Sequence, residues 1–358
     1  MTQHPASQSP NEPPSFAARR SAGGPAFTDV DFAKDGRQVG FVHIPQSPHD
    51  DAWGTVRIPV AVLCNGRGPT IVIEAGNHGD EYEGPIALGE LIRTLDPALI
   101  QGRIIALPAV NAPAVLAGTR TSPLDGLNFN RAFPGDATGT ITRQIAAVLH
   151  DQLFPQADYF LDLHSGGSSL RIVPSAIIEP NRDPAIQERN VAATIAFGAA
   201  TVVEVDNLGD PRTATAAANA AGLTVIGTEM AGGGTVTRAA LDLCRRGIRN
   251  VLAHVGITDP AVLVRAEAPP RVYAVPGPDA YVLASEDGVF EPFHDLGDTV
   301  RAGTLAGHIH FVSDPARTPV PLHYRVDGMV YALRQPARVR PGNCCAVVAV
   351  ARDGGLRP

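Results

Sequence analysis

The first regular pattern along the chain is an alternation of apolar and polar residues. Residues 37–44 and 55–64 both alternate, and a polar loop through Asp50 and Asp51 joins them. A period of two is typical of a strand with one buried face. We therefore expect an antiparallel pair of strands in this part of the chain.

From Thr70 onwards, short apolar runs are followed by amphipathic segments. The expected strands are 71–75, 103–110, 159–163, 201–205 and 224–229, and the expected helices are 86–95, 141–153, 191–198, 212–221 and 237–256. Strands that alternate with helices predict an α/β fold, with a mostly parallel or mixed sheet and helices on both faces.

The character of the sequence changes near residue 266, where a proline-rich linker precedes short runs separated by turn residues. Segments 287–303 and 327–342 echo each other and resemble the small β-barrel of biotinyl and lipoyl carriers. Lys34 is the only lysine in the chain, so this module has no attachment site for either group. The expected division is a disordered tail at 1–24, a catalytic domain at 25–265 and an all-β barrel-sandwich domain at 266–358.

Composition and charge narrow the class of partner. The 358 residues are 44% hydrophobic, and the net charge is −7 with no basic run. Nucleic acids and anionic membranes are therefore not expected as partners, and no apolar run reaches the roughly 18–20 residues that cross a bilayer.

The tail lacks the apolar segment of a secretion signal. The four cysteines form no C-x-x-C pair, which favours a reducing cytoplasm over a disulfide framework.

Two histidines and a glutamate follow strand-like runs. His78 and Glu81 lie in the segment His-Gly-Asp-Glu, and His164 follows the run at 158–161. Both loops are expected at carboxyl ends of strands, where sheets of this kind place their sites. Two imidazoles and one carboxylate are a ligand set of catalytic zinc. We therefore predict one Zn²⁺ ion held by these three side chains.

Other residues that could bind a metal are expected to have different roles. Asp80 and Glu83 are expected to support the loop or the start of a helix, and Asp162 could orient the imidazole of His164. His308 and His310 would share one face of a strand, but the sequence offers them no matched carboxylate. We therefore expect no metal at that pair.

A hydrolytic site also needs a group that takes a proton from water and passes it to the leaving nitrogen. Glu229 ends an expected strand and precedes a glycine-rich loop, which makes it the preferred general base. Glu204 and Asp206, at another strand end, are the rival pair.

Three further side chains suit an anionic substrate. Asn130 and Arg131 could together bind a carboxylate, because a guanidinium group fits a carboxylate with two hydrogen bonds. Arg120 is a candidate for stabilising a developing oxyanion.

The order of these motifs resembles the succinylglutamate desuccinylase/aspartoacylase family, whose members are related to zinc carboxypeptidases. The motifs that carry the resemblance are GNHGDE at 76–81, TR at 119–120, DGLNFNR at 125–131, DLHSGG at 162–167 and TE at 228–229. The C-terminal barrel is also a feature of that family.

The resemblance implies a role for each residue of the site. His78, Glu81 and His164 would bind zinc. Glu229 would act first as a base and then as an acid, and Arg120 would polarise the scissile carbonyl.

The resemblance also implies that Asn130 and Arg131 hold the substrate carboxylate. The family uses a further arginine before the catalytic glutamate, and Arg212 is the candidate here, although its spacing to Glu229 does not match. The spacing within 125–128 also departs from the aspartoacylase pattern, which argues against N-acetylaspartate as the substrate.

The sequence thus predicts a cytoplasmic zinc amidohydrolase that acts on a small N-acyl amino acid. Residues 77–88, 118–123 and 232–235 carry a closer likeness within the family, which implies N-alpha-acetyl-L-2,4-diaminobutyrate, an intermediate of ectoine degradation. The free amine of that substrate would need an acidic partner, with Glu204 or Asp206 as candidates. A carboxypeptidase, a desuccinylase and a non-catalytic zinc-binding protein are the alternatives, and a homo-oligomer is left open.

Overall fold

The computed structural model describes residues 19–20, 24–264, 266 and 268–352. The predicted disordered tail at 1–24 lies almost entirely outside these residues. In the described part of the chain, no helix combines the length and the apolar character needed to span a bilayer.

In the described chain, the strands before residue 265 are β1 (Arg19–Arg20), β2 (Phe27–Thr28), β3 (Gly36–Pro45), β4 (Thr55–Asn65), β5 (Thr70–Ala75), β6 (Gly102–Leu107), β7 (Tyr159–His164), β8 (Leu170–Ile172), β9 (Ser175–Ile178), β10 (Thr201–Glu204) and β11 (Thr224–Glu229). The later strands are β12 (Arg271–Ala274), β13 (Tyr281–Leu283), β14 (Gly288–Pro292), β15 (Thr299–Val300), β16 (Leu305–His310), β17 (Val320–His323), β18 (Gly328–Arg334), β19 (Arg338–Val339) and β20 (Cys344–Ala351).

One mixed sheet runs through the described chain in the order β1-β2-β3-β4-β6-β5-β7-β11-β9-β10-β12-β20-β18-β15. Its centre is parallel, because β5 pairs in parallel with β6 and β7, and β7 with β11. The pair β3 and β4 is antiparallel, as the alternation predicted. The strand β9 runs antiparallel to β11 and places β10 and β12 beyond it.

Helices cover both faces of this sheet. The helices are α1 (Glu83–Thr94), α2 (Ala112–Ala117), α3 (Ile141–Val148), α4 (Pro184–Phe197), α5 (Ala214–Ala220) and α6 (Arg238–His254). Side chains of α1, α4 and α6 pack with Ile71 and Ile73 of β5, whereas those of α2, α3 and α5 pack with Val72. Alternate residues of a strand point to opposite faces, so the central strands are apolar on both sides. The predicted α/β fold class is confirmed.

The C-terminal region forms a second, smaller β-structure. A separate antiparallel sheet has the order β17-β16-β14-β19. Phe290 of β14 and Ile309 of β16 pack there against Val330 and Val348 of β18 and β20, which belong to the large sheet. The predicted C-terminal all-β structure is therefore present, and β20 connects it to the catalytic side through β12.

Some predicted boundaries were wrong, and some elements had not been predicted. The expected helix at 141–153 ends as an α-helix at Val148 and continues as one π-helical turn at Leu149–Leu153. The short helix α2 was missed, although Gly118 in the left-handed region caps it. The strands β8 and β9 were also missed, because β8 pairs with β18 from the distant C-terminal region.

Candidate active site

Two glycines, Gly76 and Gly79, shape the loop between β5 and α1. Gly76 has a φ of +69°, which ends β5 in a conformation that favours glycine. A β-carbon at Gly79 would overlap the backbone carbonyl of Ala114 in α2. Asp80 secures the same loop by accepting hydrogen bonds from the backbone N and the hydroxyl of Ser168, both at 2.7 Å. The loop is therefore fixed before any metal binds.

This loop brings the three predicted ligands together. The Glu81 carboxylate lies 2.7 Å from Nδ1 of His78 through Oε1 and 2.9 Å from Nδ1 of His164 through Oε2. One potential ligand atom from each residue lies within 4.8 Å of the others. The side chains are 3%, 3% and 10% exposed for His78, Glu81 and His164, so the cluster is shielded from bulk water.

The outer nitrogens of the two imidazoles have partners of their own. Nε2 of His78 donates to Oδ1 of Asn128 at 3.1 Å, and Nε2 of His164 donates to Oδ2 of Asp162 at 3.0 Å. Because both partners are acceptors, each Nε2 carries a hydrogen, and each Nδ1 is the ring atom directed at the Glu81 carboxylate. This is the arrangement found around histidine ligands of metals. Two imidazole nitrogens and a carboxylate oxygen fit a zinc ion with one open coordination position.

The electrostatics of the cluster also suit a cation. Burial alone would raise the pKa of Glu81, but the two neighbouring imidazoles hold it well below its usual range. Burial would lower the pKa of His164, but the carboxylates of Asp162 and Glu81 raise it well above its ordinary value. The buried carboxylates of Asp162 and Glu81 therefore both favour a positive charge at this position.

Glu229 lies beside this cluster as the last residue of β11, directly across from His164. Burial, followed by the charge of Glu81, raises the pKa of Glu229 to about 8. Its Oε2 atom is buried and has no hydrogen-bond partner among the residues that the structure describes. A carboxyl group with a pKa in this range can both accept and return a proton near neutral pH.

Arg120 lies at the edge of the cluster. Its Nη1 atom is 3.4 Å from Nδ1 of His78 and 3.6 Å from Oε1 of Glu81, and its side chain is 43% exposed. The guanidinium group is therefore next to the cluster and partly open to solvent.

Asn130 and Arg131 form the neighbouring side of the site. Nδ2 of Asn130 lies 3.5 Å from Nε2 of His164, and its Oδ1 accepts a hydrogen bond from the backbone N of Ala214 at 2.8 Å. Arg131 forms a 3.1 Å ion pair with Asp210 through Nε. The turn Phe129–Arg131 thus joins the site to the start of α5.

All seven predicted site residues line one cavity of about 230 Å³. They are His78, Glu81, Arg120, Asn130, Arg131, His164 and Glu229. The cavity therefore has two imidazoles, two carboxyl groups, one amide and two guanidinium groups on one surface.

Three candidates from the sequence lie outside this cavity. Arg212 is 61% exposed and binds the Asp210 carboxylate through Nε and Nη2, each at 2.8 Å. Glu204 forms a short ion pair with Arg352, and Asp206 caps the turn at Asn207–Gly209. Glu204 and Asp206 line a different cavity, so neither is placed to serve as the base or as the partner of a substrate amine there.

The prediction that His308 and His310 lack a matched carboxylate was wrong. Glu291 of β14 lies opposite His308, and its Oε2 is 2.7 Å from Nε2 of His310. One potential ligand atom from each of the three residues lies within 4.8 Å of the others, and the group is partly exposed. The sequence could not show this, because antiparallel register alone brings residue 291 to residue 308.

Several residues in or beside the cavity were not predicted. Asn128, which contacts His78 beside the cavity, lies in the DGLNFNR motif but had no assigned role. Tyr281 and Tyr331 enter the cavity from the C-terminal region, and the Tyr331 hydroxyl lies 2.7 Å from the Ser175 hydroxyl. No local sequence signal distinguishes these tyrosines, because the pairing of β8 with β18 brings that region to the site.

Comparison with known proteins places the chain in a family. The family model described as the succinylglutamate desuccinylase/aspartoacylase catalytic domain matches residues 67–255. An N-alpha-acetyl-L-2,4-diaminobutyric acid deacetylase of Halomonas elongata is 40% identical over 326 residues, which are 91% of this chain and 95% of that protein.

Solved structures agree with this relationship. A succinylglutamate desuccinylase/aspartoacylase from Rhodobacter sphaeroides is 43% identical with a TM-score of 0.85, and the match covers 90% of this chain and 98% of that one. The product-bound ectoine utilization protein EutE (DoeB) from Ruegeria pomeroyi is 37% identical with a TM-score of 0.88, covering 92% and 100%. The chain therefore belongs to the succinylglutamate desuccinylase/aspartoacylase family of hydrolases.

Proposed function

We propose that this protein is a zinc-dependent deacylase whose substrate is N-alpha-acetyl-L-2,4-diaminobutyrate, which it converts to diaminobutyrate and acetate. The observation that carries the proposal is the single cavity that contains all seven predicted side chains. The names of the Halomonas relative and of the Ruegeria ectoine utilization protein support the choice of substrate.

His78, Glu81 and His164 would hold the zinc ion. When bound, zinc supplies a Lewis acid that polarises a carbonyl and makes water more acidic. Asp162 and Asn128 keep the two imidazoles oriented, since each accepts the hydrogen of an Nε2 atom. The ligands therefore need little rearrangement when the ion binds.

Glu229 would carry the proton through the reaction. Its carboxylate takes a proton from the attacking water, and the same carboxyl group returns it to the amide nitrogen as the bond to the acyl carbon breaks. The raised pKa supports both steps, because neither protonation state of Glu229 is strongly disfavoured near neutral pH.

The remaining residues would orient the substrate. Arg120 faces the developing negative charge on the acyl oxygen, where a fixed cation favours the transition state over the ground state. Asn130 and Arg131 would bind the α-carboxylate. The ion pair of Nε with Asp210 and the hydrogen bond from Nη1 to the backbone O of Asn130 hold the Arg131 side chain in place.

The size of the cavity favours this substrate over a peptide. At about 230 Å³ it is smaller than the roughly 300–1,000 Å³ of sites that enclose drug-sized ligands. An acetylated amino acid fits this scale better than the dipeptides and longer peptides cut by a carboxypeptidase.

The proposal is tested by measuring kcat/KM for N-alpha-acetyl-diaminobutyrate, N-succinylglutamate, N-acetylaspartate and dipeptides, with and without a chelator. We expect the highest value for acetyl-diaminobutyrate and a loss of activity in the chelator that added zinc restores. A higher value for succinylglutamate or a dipeptide would refute the substrate. Full activity after verified removal of all metal would refute the zinc dependence.

A further inference from the structure

The proposed substrate carries a free ammonium group on its side chain, and the inference below rests on that proposed function. The acidic residues that line the cavity already have other tasks. Glu81 lies between the imidazoles, Asp162 accepts from His164, and Glu229 is the proposed base. The ammonium group therefore needs another carboxylate close to the cavity.

Glu179 is positioned to be that carboxylate. It directly follows β9, two residues after Ile177, which lines the cavity. Alternate residues of an extended strand share a face, so the backbone position of Glu179 is on the same face as that of Ile177, although Glu179 itself is not part of the cavity wall. Its carboxyl group also interacts with Thr215 and Asp162, and both of these residues line the same cavity.

The carboxylate of Glu179 has no cationic partner within the described part of the chain. The side chains that act on it are Thr215, Asp162 and Asp206, none of which is cationic. Its Oε2 atom is buried without a hydrogen-bond partner among the described residues. Burial, together with the two nearby aspartates, raises the pKa of Glu179 to about 7. An uncompensated buried carboxylate is costly, and a ligand cation would remove most of that cost.

The position of Glu179 also agrees with the proposed binding of the substrate carboxylate by Asn130 and Arg131. Asn130 accepts from the backbone N of Ala214, and the next residue, Thr215, interacts with Glu179. The two polar ends of an amino acid with a short cationic side chain could therefore both be held beside the first turn of α5.

We propose that Glu179 forms the subsite for the side-chain ammonium group of the substrate and gives the enzyme its preference for a cationic side chain over a neutral one. Glu204 and Asp206, which the sequence had suggested for this task, lie on a separate cavity. Glu179 is a specificity residue in this proposal and does not take part in bond cleavage.

The first test compares two substrates that differ only at the end of the side chain. N-alpha-acetyl-diaminobutyrate has an ammonium group where N-acetyl-2-aminopentanoate has a methyl group. For the wild-type enzyme we expect kcat/KM to favour the cationic substrate. In Glu179→Gln, kcat/KM for the cationic substrate should fall about 10- to 100-fold. The kcat/KM for the neutral substrate should stay constant or rise.

Glu204→Gln is the matched control, because Glu204 ends the neighbouring strand β10 but is paired with Arg352 outside the cavity. It should leave both values unchanged. An equal loss for both substrates in Glu179→Gln, or no change for either, would overturn the proposal.

A binding measurement separates this inference from the proposed reaction. Calorimetric titration of the zinc-loaded wild-type enzyme with diaminobutyrate and with 2-aminopentanoate needs neither turnover nor a folded variant. Tighter binding of diaminobutyrate supports the subsite even if the substrate panel reveals a different acyl group. Equal affinity for the two amino acids refutes the subsite even if the enzyme is a deacetylase.

Discussion

His164 and Glu229 are the last residues of two neighbouring parallel strands and lie directly across from each other in the register of β7 and β11. This pairing places a proposed metal ligand and the proposed base side by side. Both positions are set by sheet hydrogen bonds, so the distance between the two side chains depends little on flexible loops. The same edge of the sheet receives the loop of His78 and Glu81.

Replacing Glu229 by Gln should separate proton transfer from metal binding. The amide keeps the shape of the side chain but cannot accept the proton of water. We expect kcat to fall by about 10² to 10⁴, while the zinc content stays at the wild-type level. Steady-state kinetics and metal analysis on the same sample check this. A kcat close to that of the wild type would exclude Glu229 as the base.

Replacing His164 by Ala should remove the tightly bound zinc, because only His78 and Glu81 would remain as ligands. His323→Ala is a suitable control, since His323 is an exposed residue at the end of β17. Metal content after gel filtration in a weak chelator measures the difference. Equal zinc retention in both variants would contradict the proposed ligand set.

Asp162 should act on the metal through His164. In Asp162→Asn the charged acceptor of the His164 Nε2 hydrogen is lost, while the size of the side chain is kept. We expect zinc affinity to fall about 10- to 100-fold, as measured by competition with a chelator of known affinity. Unchanged affinity would show that the contact does not support the ligand.

Glu179 should make the folding stability depend on pH in a defined direction. Its pKa is raised from 4.5 to about 7 in the folded state, so between these values the folded protein holds more protons than the unfolded chain. The contribution of Glu179 to the free energy of unfolding is therefore greatest below pH 4.5 and is lost as the pH rises to about 7.

This dependence is tested by the melting temperature of metal-loaded wild type and Glu179→Gln between pH 5 and 8. Other titrating groups are shared by both proteins and cancel in the difference. We expect the variant to gain stability relative to the wild type as the pH rises. A difference that stays constant across this range would contradict the raised pKa.

Gly79 should be intolerant of a side chain. A β-carbon there would meet the backbone of Ala114, which cannot move without displacing α2. We expect Gly79→Ala to destabilise the fold by about 1–3 kcal/mol. Gly89→Ala is the control, because a β-carbon there would meet only the flexible end of the Arg93 side chain, at 3.3 Å, and alanine favours the helical backbone of α1. Chemical denaturation of both variants gives the comparison, and equal stability would contradict the steric argument.

The sequence alone identified the parallel core of the sheet and the loop of His78 and Glu81. Those features depend on local properties. Apolar runs such as β5 are buried on both faces, and glycine-rich segments must turn where a strand ends. The same local reasoning missed β8 and misjudged Glu204, since both depend on residues more than a hundred positions away.

By itself the sequence determined the α/β fold class, the order of the motifs and the residue types at the site, because strand periodicity, glycine turns and ligand chemistry are all encoded within short segments. Only the tertiary structure decided which carboxylates share the cavity. Register across β7, β11 and β9 brings Glu229 beside His164 and leaves Glu179 near the cavity without a cationic partner among the described residues. Register and the packing of α5 are properties of the whole sheet, so short segments of sequence do not reveal them.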